Sequence, residues 1–386
     1  MHHEVFLSHP LTTRILPVAA LATLVAAPLQ AHHGFGLFQV STEVHYEGTI
    51  TGIDFVNPHS YLYFDRTNAN GNVINMRCEM RAATLLRRSG WSKDMFEVGL
   101  PVSVDANPHR DDPSACYTEN ITIGDRPTMN RNDQFTIDNP VDTTNRALTA
   151  ANGDPNISGD WAVEQLVLTV PPSGGRGSMV PKRFREGYAD GSITLDDIRA
   201  ANPQPSRPQY TARGQAEAQA FEMWNPEHNP RLKCLPTSII YDWTFDWPVN
   251  RITQEGDMVI LDYGLYSKRR IISLGMDSHP ANLTPSNTGH SIGLWEKDPA
   301  TGKATLVVDT TGFEAGVLSP PTRNSDQMHV TERFTIDTSN WVLTREYTVT
   351  DPVYLAEPWS ASDTVYLSEV PYENHGCLEL TPEFAE

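Results

Sequence analysis

Four side chains in the C-terminal half, His290, Asp309, His329 and Glu332, are of the types that acid–base chemistry needs. An imidazole changes charge near neutral pH, and an adjacent carboxylate decides which ring nitrogen carries the proton. Alternation along a strand sends His329, Thr331 and Arg333 to one face and Val330, Glu332 and Phe334 to the other. By the same rule Asp309 shares a face with Val307, while Thr310 lies with Leu306 and Val308. If His290 and His329 project inward beside a carboxylate, Asp309 or Glu332, they form an acid–base pair acting on an apolar ligand held inside. Tyr263, Tyr266 and Arg270 would add donors to that cavity, and Trp295 an apolar wall. The competing reading is that Gly289-His290-Ser291 caps a strand entrance and the charges make an outer polar face. Ser291 is a poor nucleophile candidate because no G-x-S-x-G turn surrounds it.

A second set lies near the N-terminus. Cleavage after Ala31 would free the α-amino group of His32, with His33 beside it. With His59, which follows an Asn-Pro turn, these nitrogens suit Cu(II). The plainer alternative is a frayed polar terminus and a His59 bonded to a backbone carbonyl.

Such residues need strands to hold them. From Val44 to Ile123 the pattern predicts about five strands, with a hairpin at Asn70-Gly71 and one short helix at Thr84-Leu-Leu-Arg-Arg. This predicts a small, OB-like barrel over residues 32–126. Residues 127–156, poor in apolar periodicity, read as a linker. Residues 157–386 predict a larger, antiparallel, lipocalin-like barrel of roughly nine strands, the first at Glu164 to Val170. A β-sandwich fits the same spacing. A helical insertion interrupts this unit, with Thr194 capping Leu195-Asp-Asp-Ile-Arg-Ala-Ala and Thr211 capping Ala212 to Met223. The tryptophans Trp161, Trp243, Trp247, Trp295, Trp341 and Trp359 either line a flat apolar cavity or fill a β core.

The chain's 386 residues suffice for two domains, and 29 Pro with 25 Gly suit a loop-rich β protein. A net charge of −19 repels phosphate backbones and argues against nucleic acid. Residues 1–31 read as a secretory signal: Arg14, an uncharged run from Ile15 to Ala27, then small residues. No later stretch is long and apolar enough to span a membrane, so a periplasmic or secreted protein is expected. In an oxidising compartment, two cysteines in each half suggest Cys78–Cys116 and Cys234–Cys377 bridges.

Ala31-His-His-Gly-Phe, followed by Tyr46-Glu-Gly-Thr-Ile-Thr-Gly-Ile-Asp-Phe-Val-Asn-Pro-His59, resembles a family of exported bacterial proteins of unknown function. Its members open A-H-H-S-F and carry a later N-P-H run; Gly34 stands here where Ser is usual. The likeness continues through Leu85-Leu-Arg-Arg-Ser-Gly-Trp91 to about Gly124. The second half, with Gly289-His-Ser-Ile-Gly-Leu-Trp295 and His329-Val-Thr-Glu-Arg-Phe334, resembles other uncharacterised exported proteins. The resemblance implies an address and no activity. Three functional readings follow: a barrel binding a small, largely apolar molecule; a cofactor-free acid–base enzyme (isomerase, lyase, hydratase or cyclase) acting on one; and a copper-binding N-terminal module.

Overall fold

The computed structural model describes residues 37–137, 140–174, 177–202, 206–374 and 376–377. His32, His33 and the signal expected at 1–31 therefore lie outside the described residues. The protein is mostly β, with a five-stranded closed barrel followed by a nine-stranded one.

The small barrel comprises β1 (Val44–Asp54), β2 (Tyr61–Thr67), β3 (Val73–Glu79), β4 (Pro101–Pro108) and β5 (Ala115–Ile123), with α1 (Ala83–Arg88) between β3 and β4. The strands run β3-β2-β1-β4-β5, and a parallel β3–β5 pairing closes the ring. Cys78 and Cys116 are register partners in that pairing and form a disulfide, so the bridge lies on the closing seam. Gly48 in β1 is required by close approach, since a Cβ there would sit 2.3 Å from the Asp65 carbonyl oxygen. Ile50, Leu62, Phe64, Met76 and Val104 fill the interior. The expected hairpin forms at Asn68–Asn72, where Gly71 adopts φ +81°.

The first part of the segment read as a linker packs against its neighbours, while Leu148 further along is 61% exposed. The segment's β6 (Met129–Asn130) extends the sheet beside β5, Phe135 meets Trp91 edge-on at 5.2 Å, and Ile137 packs with Val249 and Val370 of the larger barrel. Apolar residues too sparse to show a period still bury singly.

The larger barrel is built from β7 (Gly159–Ala162), β10 (Asn250–Glu255), β11 (Met258–Asp262), β12 (Arg269–Leu274), β13 (His290–Lys297), β14 (Ala304–Thr311), β17 (His329–Asp337), β18 (Val342–Thr350) and β19 (Trp359–Leu367), and it closes through β7–β10. The first strand is therefore Gly159–Ala162. The expected stretch instead forms β8 (Leu166–Thr169), which pairs only with β9 (Ser178–Pro181) in a separate hairpin. The cores differ: Trp161 lies in the barrel core, whereas Val167 of β8 packs with Val180, Tyr188 and Ile198 in a separate cluster. A second small hairpin, β15 (Gly316–Ser319) and β16 (Thr322–Asn324), lies between β14 and β17.

One pairing departs from the expected antiparallel order. β12 and β13 run parallel, with Ile272 opposite Ser291 and Leu274 opposite Gly293. A parallel neighbour needs a crossover, supplied here by residues 275–289.

The helical insertion carries α2 (Arg185–Asp190), α3 (Leu195–Ala201) and α4 (Ala212–Ala220). Thr194 caps α3 with a reciprocal Asp197 contact, and Thr211 accepts from the Gly214 N–H at the start of α4. The short α5 (Tyr241–Thr244) enters the barrel core through Trp243, next to Ile239 and Ile240. The carbonyls of Ile239 and Ile240 accept from Arg345 at 2.9 and 3.1 Å. The core around it joins Leu306, Val308, Val330 and Phe334 to a buried ionic group.

Candidate functional site

His290 opens β13, Asp309 lies on β14 and His329 opens β17, three neighbouring strands. Their neighbours Ser291, Thr310 and Val330 are fully buried, so alternation turns all three functional side chains to the outside of the barrel wall. Of the two alternatives, an inward-facing pair and an outer polar face, these strands adopt the outward one. The β12–β13 crossover brings a fourth member, His279, over the same patch of wall.

The four groups form an unbroken hydrogen-bonded series. His329 Nε2 lies 2.7 Å from Asp309 Oδ2, and His279 Nε2 lies 2.8 Å from Asp309 Oδ1. His279 Nδ1 lies 2.8 Å from His290 Nδ1, with the two rings edge-on. A carboxylate only accepts, so both Nε2 atoms facing Asp309 carry hydrogen. A neutral His279 then presents Nδ1 as an acceptor. His290 must donate from its own Nδ1, which leaves a lone pair on His290 Nε2. Burial, and next the proximity of His279, lower the His290 pKa below 6.5, so that ring stays neutral. The arrangement can take a proton at one end and hold the resulting charge against a carboxylate at the other. Asp309 and His329 are about 40% exposed, and His279 17%.

Glu332 is on the other side of the wall. It is fully buried, accepts from Arg270 and lies 3.3 Å from Arg345, so it cannot set a tautomer in the histidine series. Arg345 also binds Asp363, with Nε 3.1 Å from Oδ1. Arg270 donates to Ser291 Oγ at 2.9 Å and to Thr310 Oγ1 at 2.8 Å. Of the four candidate ligand contacts, Tyr263 and Arg270 are buried in the barrel and Trp295 packs against its core. Tyr263 donates to the Ile239 carbonyl, and burial pushes its pKa up to about 12. Tyr266 sits apart from them, with the Arg231 guanidinium 5.2 Å from its ring centre. Beside it a second buried group forms, in which Asp242 accepts from Lys268 at 2.6 Å, Arg231 at 3.1 Å and Thr237.

His59 faces Glu79, with Nδ1 2.9 Å from Oε1. Burial alone would lower its pKa, but the charges of Glu79 and Asp246 raise it overall. Among the described residues, no three His, Cys, Asp or Glu side chains are grouped to hold a metal ion. In the histidine series, both ring nitrogens of His279 are already engaged, by His290 and by Asp309.

His279 was missed in the sequence because it lies in Asp277-Ser-His-Pro280, a loop with no strand pattern. Its nearness in sequence to His290 was the one available signal.

No curated protein and no solved structure matches the chain. Residues 20–117 match the model of a family of unknown function (DUF6152), a match that takes in the small barrel as far as Tyr117 in its closing strand β5.

Proposed function

We propose that this protein is a cofactor-free acid–base enzyme whose site lies on the outer wall of the larger barrel. The observation that carries this reading is the series His290–His279–Asp309–His329. His290 Nε2 removes a proton from the substrate while its Nδ1 proton passes to His279 Nδ1. Positive charge then rests on His279, against the Asp309 carboxylate, and His329 holds that carboxylate from its other side. Return of the proton to a different substrate atom completes an isomerisation; loss of a leaving group completes an elimination.

Deuterium uptake from heavy water at the α-carbon of a panel of apolar ketones, read by mass spectrometry, tests this. His290→Gln should slow uptake by about 10²–10⁴-fold while leaving the fold intact. The wild-type rate should fall as pH drops through the His290 pKa, below 6.5, because only the neutral ring is a base. Equal rates in the two proteins would refute the reading.

A second reading is favoured by a different observation. Trp243 Nε1 and Trp295 Nε1 are buried donors with no hydrogen-bond partner. They support a small, largely apolar molecule bearing acceptor atoms inside the barrel. Native mass spectrometry should then show a bound species of constant mass, with lower occupancy in Trp295→Phe, which keeps an aromatic ring and removes the donor. Bare chain mass in both would reject it.

The chain is further read as exported, to the periplasm or beyond the cell. The two disulfides support this, and among the described residues no helix is long and apolar enough to cross a membrane.

A further inference from the structure

The outer wall beside His290 is apolar where the outside of a barrel is usually polar. Ile260 and Ile271 are cross-strand partners on β11 and β12, and Leu294 and Val307 are partners on β13 and β14. Ile292 lies directly opposite Asp309 and two residues from His290, on the same face of β13. Ile271 precedes by one residue the Ile272–Ser291 register pair, so it falls beside His290. Ile271 is 47% exposed and Leu294 56%. Ion pairs frame the patch: Arg269–Asp262 at one edge, and Arg333–Glu296 at the other, 2.9 Å apart.

We propose that this face is the substrate platform: it seats the body of a small, largely apolar molecule and presents that molecule's one weakly acidic group, a C–H beside a carbonyl or an O–H, to His290 Nε2. The inference rests on the reading of His290 as the base and adds the substrate class. Size argues for a small molecule over a protein partner. A stable protein interface takes about 20–30 residues a side, whereas five apolar side chains within an ionic frame match one small hydrophobic body. Continuity argues for the same occupant, since Ile271 and Ile292 flank the imidazole that takes the proton.

The test uses the full chain and two probes, 2-naphthol, which carries an acidic O–H, and 2-methoxynaphthalene, which lacks it. Binding is followed by fluorescence titration, and His290 ionisation by nitrogen-15 NMR. Wild type should bind both, naphthol more tightly. Leu294→Asn, an exposed position whose change leaves the core alone, should weaken both probes about tenfold or more and leave the His290 titration in place. His290→Leu, which has no acceptor, should weaken naphthol alone, by about tenfold for a lost hydrogen bond. Unchanged binding in Leu294→Asn overturns the platform even if the His290 base survives. Loss in Leu294→Asn with none in His290→Leu leaves an apolar face but removes its link to the base, and so overturns the proposal with the reading beneath it. Dimerisation in sedimentation that Leu294→Asn abolishes would assign the face to a second copy and overturn it also.

Discussion

Replacing Glu332 by Ala should destabilise the protein by about 3–5 kcal/mol, the cost of leaving a buried charge without its partner. Glu332 is fully buried between Arg270 and Arg345, whose side chains are each only 1% exposed. Asp363 would still neutralise Arg345, but Arg270 would keep no carboxylate, only hydroxyl partners such as Ser291 and Thr310. Denaturant unfolding should show a lower midpoint with an unchanged slope. Glu332→Leu combined with Arg270→Met should recover much of the loss, because no uncompensated charge remains between those strands. A wild-type midpoint in Glu332→Ala would mean that water reaches this group. The pH dependence has a definite sign. Burial opposes ionisation of Glu332, but Arg270 and then Arg345 outweigh it and hold its pKa below the ordinary 4.5. Its contribution is therefore present above 4.5 and is lost as pH falls through the depressed value.

Removing the Cys234–Cys377 bridge should cost about as much, ~2–5 kcal/mol. The bridge spans 143 residues, against 38 for Cys78–Cys116. In the chain-entropy model the longer closure is worth about 1 kcal/mol more. Its placement adds reach: Cys234 ends a turn of the helical insertion, and Cys377 pairs by a backbone bridge with Asn57 of the small barrel. Thermal unfolding of Cys234→Ala/Cys377→Ala should show a larger loss than Cys78→Ala/Cys116→Ala. The reverse order would indicate that native packing on the barrel seam outweighs loop closure. Export is what would supply the oxidant. Disulfide-bonded protein recovered outside the cytoplasm should begin at or near His32 by N-terminal sequencing. An intact Met1 on that material would sink the export reading.

Much of the fold was legible because its causes are local. Period-two alternation marked the strands, Asn70-Gly71 marked a hairpin through the positive φ that Gly71 adopts, and Thr194 and Thr211 marked helix starts through bonds to the backbone within three residues. The cysteine pairing followed from two cysteines falling in each half of the chain. His290, Asp309 and His329 were singled out by chemistry alone, and the strand order brings them to one place.

What alternation cannot decide is which of two faces points inward. In His329-Val-Thr-Glu-Arg-Phe334 the face that carries Val330 and Phe334 also carries the charged Glu332, and all three are buried. It can be so only because Arg270, 62 residues earlier in the chain, arrives across the barrel to neutralise it. His279 joins the site for a similar reason: β12 and β13 run parallel, so the connection between them must cross the wall. The residue types and the strands were therefore written locally, whereas inside and outside, and the full membership of the site, were set by partners distant in sequence, because burying a charge or turning a loop across a barrel depends on what closes against it.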